Sequence, residues 1–140
     1  MLKGIDPLLS GELLQILDDM GHGDVLAIVD RNFPAHASGL PVVRVSAPIV
    51  PVVEAVLSLF PLDTFIPQPL GRMGPQDSPA DENDVQAQVL RAAIAAEGRE
   101  LTFEAIPRFD FYDRARDAFA VVQTLETAPY CDFLLTKGVI

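Results

Sequence analysis

The run Val25-Leu26-Ala27-Ile28-Val29 limits the possible folds more than any other stretch of the chain. It is continuously apolar and rich in β-branched residues, so it presents no polar side to water. Such a strand is covered on both faces rather than one, which calls for a layered α/β sheet.

The flanking sequence supplies the layers. Leu13, Leu14, Ile16, Leu17 and Met20 follow helical spacing, and with Ser10 as N-cap and Gly21 as stop they predict a helix over 11–20. A second strand is predicted over 42–45, an apolar helix over 52–60 closed by Pro61, and a short strand over 63–66. Residues 67–79 hold four prolines, two glycines and no periodicity, which predicts a loop long enough to serve as a lid. Asp81 is the expected cap of a helix over 82–97, with Val85, Val89, Ala92, Ala93 and Ala96 as its apolar stripe and Gly98 as its end. A strand over 101–106, a helix over 111–119 and strands over 120–125 and 133–136 complete the pattern. The alternation predicts one domain, residues 1–140, folded as a three-layer α/β/α sandwich around a mostly parallel or mixed sheet.

Ten basic against twenty acidic side chains give a net charge of -10, which repels phosphate backbones and anionic membranes. Nucleic acid and membrane are therefore not expected partners. Cys131 is the only cysteine, so no intrachain disulfide forms, a pattern that fits a reducing cytoplasm. The opening residues lack the apolar core of a signal peptide, and the reading is a soluble, unexported protein. An apolar content of 49% on so short a chain points to burial between subunits of a homo-oligomer, with a well-packed monomer as the alternative.

The chain has no phosphate-binding glycine fingerprint, no Cys/His metal spacing and no Gly-x-Ser-x-Gly elbow. Its most unusual segment is Gly21-His22-Gly23-Asp24. Two glycines leave the imidazole without large immediate neighbours, and Asp24 is the candidate to orient it; complementing a helix dipole is the structural alternative. Asp30 follows the buried strand at its carboxyl end, where ligands collect in open α/β sheets, or it is a turn acceptor. Arg108 follows Pro107 at another strand exit and offers a fork of donors, unless Asp110 or Asp113 engages it in a surface ion pair. Tyr112, Tyr130 and His36 are supporting candidates, and Tyr130 lies just before the final apolar strand.

Taken in order, Met1-Leu2-Lys3-Gly4-Ile5, Met20-Gly21-His22-Gly23-Asp24, Asp30 with Phe33-Pro34-Ala35-His36, and Leu134-Leu135-Thr136-Lys137-Gly138-Val139 resemble the fucose mutarotase and ribose pyranase family of sugar-ring isomerases. Arg108-Phe109-Asp110-Phe111-Tyr112-Asp113-Arg114-Ala115 is similar to the fucose branch; ribose pyranases usually carry histidine at the position of Arg108. The resemblance implies a cofactor-free and metal-free isomerase with L-fucose as substrate, His22 as proton donor, and Asp30, Arg108, Tyr130, Cys131 and Asp132 against the sugar. It also implies ring-shaped oligomers, a decamer with sites at subunit interfaces. Fucose-branch members typically have asparagine at the position of Asp132 and glycine or alanine at that of Cys131. An ionised aspartate only accepts hydrogen bonds, so a sugar oxygen that needs a donor is expected to lose its partner there.

The chemistry suits a lone imidazole. A proton leaves the anomeric hydroxyl, another reaches the ring oxygen, and the open aldehyde rotates before it recloses. His22 and Asp30 bracket one strand, on the order of 25 Å apart at about 3.3 Å per residue, which exceeds the span of a pyranose. The expectation is a composite pocket that takes His22 from a neighbouring subunit. A pyranase that forms furanose, or a noncatalytic sugar-binding accessory, are the rival readings.

Overall fold

The computed structural model describes residues 1–140. In chain order the elements are α1 (Gly11–Asp19), β1 (Val25–Val29), a 3₁₀ turn (Ala35–Ser38), β2 (Val42–Arg44), α2 (Ile49–Leu57), β3 (Leu70–Gly74), α3 (Asp84–Glu97), β4 (Glu104–Pro107), α4 (Arg108–Ala115), β5 (Ala120–Gln123) and β6 (Phe133–Thr136). The strands form one sheet in the order β2-β5-β1-β6-β3-β4. All run parallel except β6, which lies antiparallel between β1 and β3. The sheet is therefore mixed, and the carboxyl ends of β1 to β5 share an edge with the start of β6.

β1 behaves as its composition demands. Leu26 and Ile28 pack into the core formed with α1, α2 and α3, while Ala27 and Val29 pack on the opposite face with Phe33, Phe111 and Ala115. Helices cover both faces, which makes the three-layer α/β/α sandwich.

Several boundaries differ from the sequence pattern for local reasons. Asn83, not Asp81, caps α3: its side chain accepts from Gln86 N at 2.9 Å, and Gln86 Oε1 accepts from Asn83 N at 3.0 Å. α2 begins at Ile49, earlier than 52, because Pro51 lies in the first turn where a missing N–H is harmless, and Glu126 accepts from Ile49 N at 3.3 Å. α4 begins directly after Pro107 and ends at Ala115; further on, Phe119 N donates to Val25 O at 2.8 Å and draws the chain into the sheet. Residues 63–66 are no strand: Asp63 Oδ1 accepts from Phe65 N at 3.0 Å and closes a turn.

The expected loop over 67–79 contains β3, a buried strand between β6 and β4. The prolines lie outside the strand, and its two glycines permit close packing rather than breaking it. A Cβ on Gly74 would lie 2.1 Å from the Pro79 carbonyl oxygen, so only glycine lets the returning chain approach. Buried Arg72 then ties that return down, donating to the carbonyls of Pro79 at 3.1 Å, Ala80 at 2.9 Å and Asp81 at 2.9 Å. The segment is anchored to the sheet and is not a free lid.

Candidate functional site

Two groups of chemically able side chains lie at opposite ends of β1. At its amino end stands His22, with 43% of its side chain exposed. Its Nε2 lies 3.2 Å from Asp63 Oδ1 and donates to it, since an ionised carboxylate only accepts. The ring meets Phe65 edge-on at 5.2 Å, and Nδ1 makes no hydrogen bond within the protein.

Asp24 does not orient the imidazole. Its Oδ2 accepts from Gly21 N at 2.7 Å and is spent on closing the loop. The orienting residue is Asp63, which the sequence pattern missed because it lies 41 positions away. Asp63 is held in turn by Thr136 O, which accepts from its N–H at 3.0 Å, and by Arg99, whose Nη2 donates to its carbonyl at 3.0 Å. The Phe65 N–H first, and then His22, keeps its carboxyl below the ordinary range despite partial desolvation. The one signal in the sequence was a lone acid between apolar Leu62 and the Thr64-Phe65 pair, an Asx-turn pattern.

The tail of β6 builds this end of the sheet. Lys137 exchanges backbone hydrogen bonds with the His22 loop, donating to Asp24 O at 2.8 Å and accepting from Gly23 N at 2.9 Å. Its Nζ donates to the carbonyls of Leu17, at 2.6 Å, and Met20, where α1 ends. Gly138 then passes so close to the 62–63 backbone that a Cβ would lie 2.7 Å from Leu62 O. A concavity of about 620 Å³ opens here, lined by Leu14, Leu17, Met20, His22, Lys137 and Val139 among others.

The second group occupies the carboxyl edge. Asp30, which follows β1, is 7% exposed, and Asp132, which leads into β6, is 3% exposed. They touch through Asp132 Oδ1, which accepts from Asp30 N at 2.9 Å. Asp30 Oδ1 accepts from Asn32 N at 2.8 Å and Phe33 N at 2.9 Å. Burial raises the Asp30 carboxyl above its ordinary range against the pull of those two N–H groups. Burial, with Asp30 adding to it, pushes Asp132 up to about 8.

Cys131 is fully buried, and desolvation pushes its thiol up to about 12. It packs in the core and does not line a surface, so it offers no contact to a sugar from this position. Tyr130 is half-buried with φ of 60°, a left-handed conformation that costs an L-residue roughly 1–2 kcal/mol. The start of α3 holds it there. Gln86 Nε2 donates to the Tyr130 carbonyl at 2.6 Å and to Met73 O at 2.8 Å, and Asn83 Nδ2 donates to Pro129 O at 2.8 Å.

Arg108 opens α4 at the exit of β4. Its Nε donates to Tyr112 Oη at 3.3 Å, and its guanidinium stands 5.6 Å from the ring centres of Phe109 and Tyr112. Neither Asp110 nor Asp113 engages it; Asp113 pairs with Arg116. The Tyr112 hydroxyl holds the guanidinium charged even more firmly than usual, with a smaller contribution from Tyr130. Tyr112 packs on Phe33 at 5.5 Å, which connects Arg108 to the Asp30 turn. A concavity of about 340 Å³ between the 3₁₀ turn and α4 includes Phe33, Phe109 and Tyr112, though neither buried carboxyl lines it. His36 is exposed on the 3₁₀ turn and joins none of these contacts.

The fold thus brings Asp30, Asp132, Tyr130, Tyr112 and Arg108 to one edge and places His22 with Asp63 at the other. Exposed apolar side chains flank both: Phe65, Ile66 and Val139 beside His22, Phe109 and Leu125 on the carboxyl edge. No helix is long and apolar enough to cross a membrane.

The model of the RbsD / FucU transport protein family matches residues 3–140. The L-fucose mutarotase of Glaesserella parasuis serovar 5 (strain SH0165) is 41% identical over 140 residues, 99% of this chain and 96% of that protein. FucU from Bifidobacterium longum superposes with a TM-score of 0.91 at 32% identity, covering 99% of both chains. The fucose mutarotase from Streptococcus pneumoniae, solved in complex with L-fucose, gives a TM-score of 0.86 at 31% identity, again over 99% of both chains.

Proposed function

The chain belongs to the RbsD/FucU family, and from that premise we propose that it is a sugar mutarotase, a carbohydrate isomerase that interconverts the α and β anomers of L-fucose. The observation that carries this reading is the state of His22: one ring nitrogen is committed to Asp63, and the other has no partner. An imidazole held this way has a fixed orientation and one nitrogen left for a proton that moves.

The reaction needs nothing more demanding. Nδ1 takes the proton of the anomeric hydroxyl as the bond between the anomeric carbon and the ring oxygen breaks, and passes that proton to the ring oxygen. The aldehyde turns about its bond to the next carbon and the steps reverse, with no net change in protons or electrons. Asp30, Asp132, Arg108 and Tyr130 hold the remaining hydroxyls, so the opened chain recloses in place. Tyr112 keeps Arg108 in position.

His22 and Asp30 serve one sugar only when two copies of the chain meet. Each site in this reading takes His22 and Asp63 from one subunit and the carboxyl edge from its neighbour, in a ring-shaped homo-oligomer, a decamer. Exposed apolar residues around both groups support it, because surfaces of that kind are covered by partners. Cytoplasmic operation belongs to the same reading and fits a chain whose one cysteine is unpaired.

Saturation-exchange NMR on L-fucose tests the activity. The wild-type chain accelerates exchange between the two anomeric signals, and His22→Gln lowers that acceleration by about 10²–10⁴-fold while sugar binding persists. Undiminished exchange in the variant removes His22 from the reaction. Enhanced furanose signals with ribose identify a pyranase instead.

A further inference from the structure

We propose that Asp132 meets the sugar as a neutral carboxylic acid, donating a hydrogen bond from its free oxygen to one sugar oxygen while ionised Asp30 accepts from a neighbouring hydroxyl. The inference rests on the sugar site proposed above and assigns that site a donor the sequence does not reveal.

The geometry makes this case. Asp132 is 3% exposed and Asp30 7% exposed, they are joined by a hydrogen bond, and no Lys, Arg or His forms an ion pair with either. Two carboxylates buried side by side without a cation do not both ionise; one retains a proton. The backbone decides which. Asp30 Oδ1 accepts two N–H groups, from Asn32 and Phe33, which favours the charged form, whereas Asp132 accepts only one, from Asp30. The proton therefore stays on Asp132, in keeping with the upward push to about 8 described above.

Oδ1 of Asp132 is the acceptor for Asp30 N, so the proton sits on Oδ2. That oxygen has no partner in the protein and is not among the sealed, unsatisfied buried atoms, so it retains access from outside. The other oxygen of Asp30 is in the same situation. Asp132 thus offers a donor oxygen and Asp30 an acceptor oxygen on two carboxyls linked through the Asp30 N–H, and sugar hydroxyls match both because each hydroxyl can give and receive. The charged and titratable groups around the pair are Cys131 beside Asp132, Glu126 acting on Asp30 and Cys131, and Tyr130 with Arg108 beyond it. Cys131 holds its proton to about 12 and does not interfere near pH 8.

Calorimetric titration of L-fucose into the wild-type oligomer and into D132N, from about pH 6 to about pH 10, tests the proposal. The wild-type dissociation constant is expected to rise by about tenfold per pH unit above about pH 8, the slope for loss of one required proton. D132N, whatever its affinity at the acid end, is expected to change by less than about twofold, because an amide keeps its donor throughout. Flat wild-type binding, or the same alkaline slope in D132N, overturns the proposal. In the sugar-free protein, the ¹³C resonance of the Asp132 carboxyl, identified by its absence in D132N, is expected to titrate far above the ordinary carboxylate range. A midpoint within that range overturns the proposal without reference to any sugar. A high midpoint with no L-fucose binding at any pH removes the functional reading, and the sugar contact falls with it.

Discussion

Burying a carboxyl without a cation keeps its proton in the native state long after the unfolded chain has released it. For Asp132 the unfolded group titrates near pH 4 and the native one at about 8. Between those values the native state binds more protons, so stability falls as pH rises across the interval and levels off above it. D132N lacks this titration. Its urea midpoint should exceed that of the wild type most at about pH 8 and above, with the advantage shrinking toward about pH 4; a pH-independent gap would contradict the burial argument. Asp63 is the other residue with a separable role. Asp63→Asn leaves the turn and the fold in place but exchanges a pure acceptor for an amide, and kcat should drop by up to about 10²-fold with little change in KM, the pattern for a misaligned catalytic group. The positions of His22, Asp30 and Arg108 at the ends of strands were legible in the sequence because glycine spacing and strand exits mark them. Asp63 was not, because its contact with His22 exists only once the tail of β6 has brought distant segments together.

β1 and β6 were read with their observed boundaries, since continuous apolar runs tolerate no other placement in a covered sheet. β3 was hidden because its two glycines and the prolines on either side of it signal a loop to any local rule, while Gly74 is there because the Pro79 carbonyl crowds it. Gly74→Ala should therefore be strongly destabilising, by at least about 1–3 kcal/mol, since backbone rather than a flexible side chain must move; an unchanged denaturation midpoint would show that the 75–79 return yields freely. α3 has a task beyond covering the sheet. Gln86 satisfies the carbonyls of Met73 and Tyr130, so Gln86→Ala should cost about 1–3 kcal/mol for the unpaired groups and also weaken sugar binding by releasing the Tyr130 turn. Thermal unfolding and binding measured on the same variant separate the two effects.

Across the whole molecule, the proposed half-sites on opposite edges of one sheet lead to a complementation test. His22→Gln and Asp30→Asn oligomers are each expected to be poor catalysts, yet after dissociation and random reassembly about one quarter of the interfaces pair an intact histidine edge with an intact acid edge. Activity should then appear in the mixture above that of either parent. No gain on mixing would mean that a single chain completes the pocket. The span of β1 has a further consequence for the living cell. In the proposed composite arrangement a newly translated copy carries both partial pockets and no finished one, so its rate at low expression should climb more steeply than the amount of polypeptide made, as copies meet and complete one another's sites.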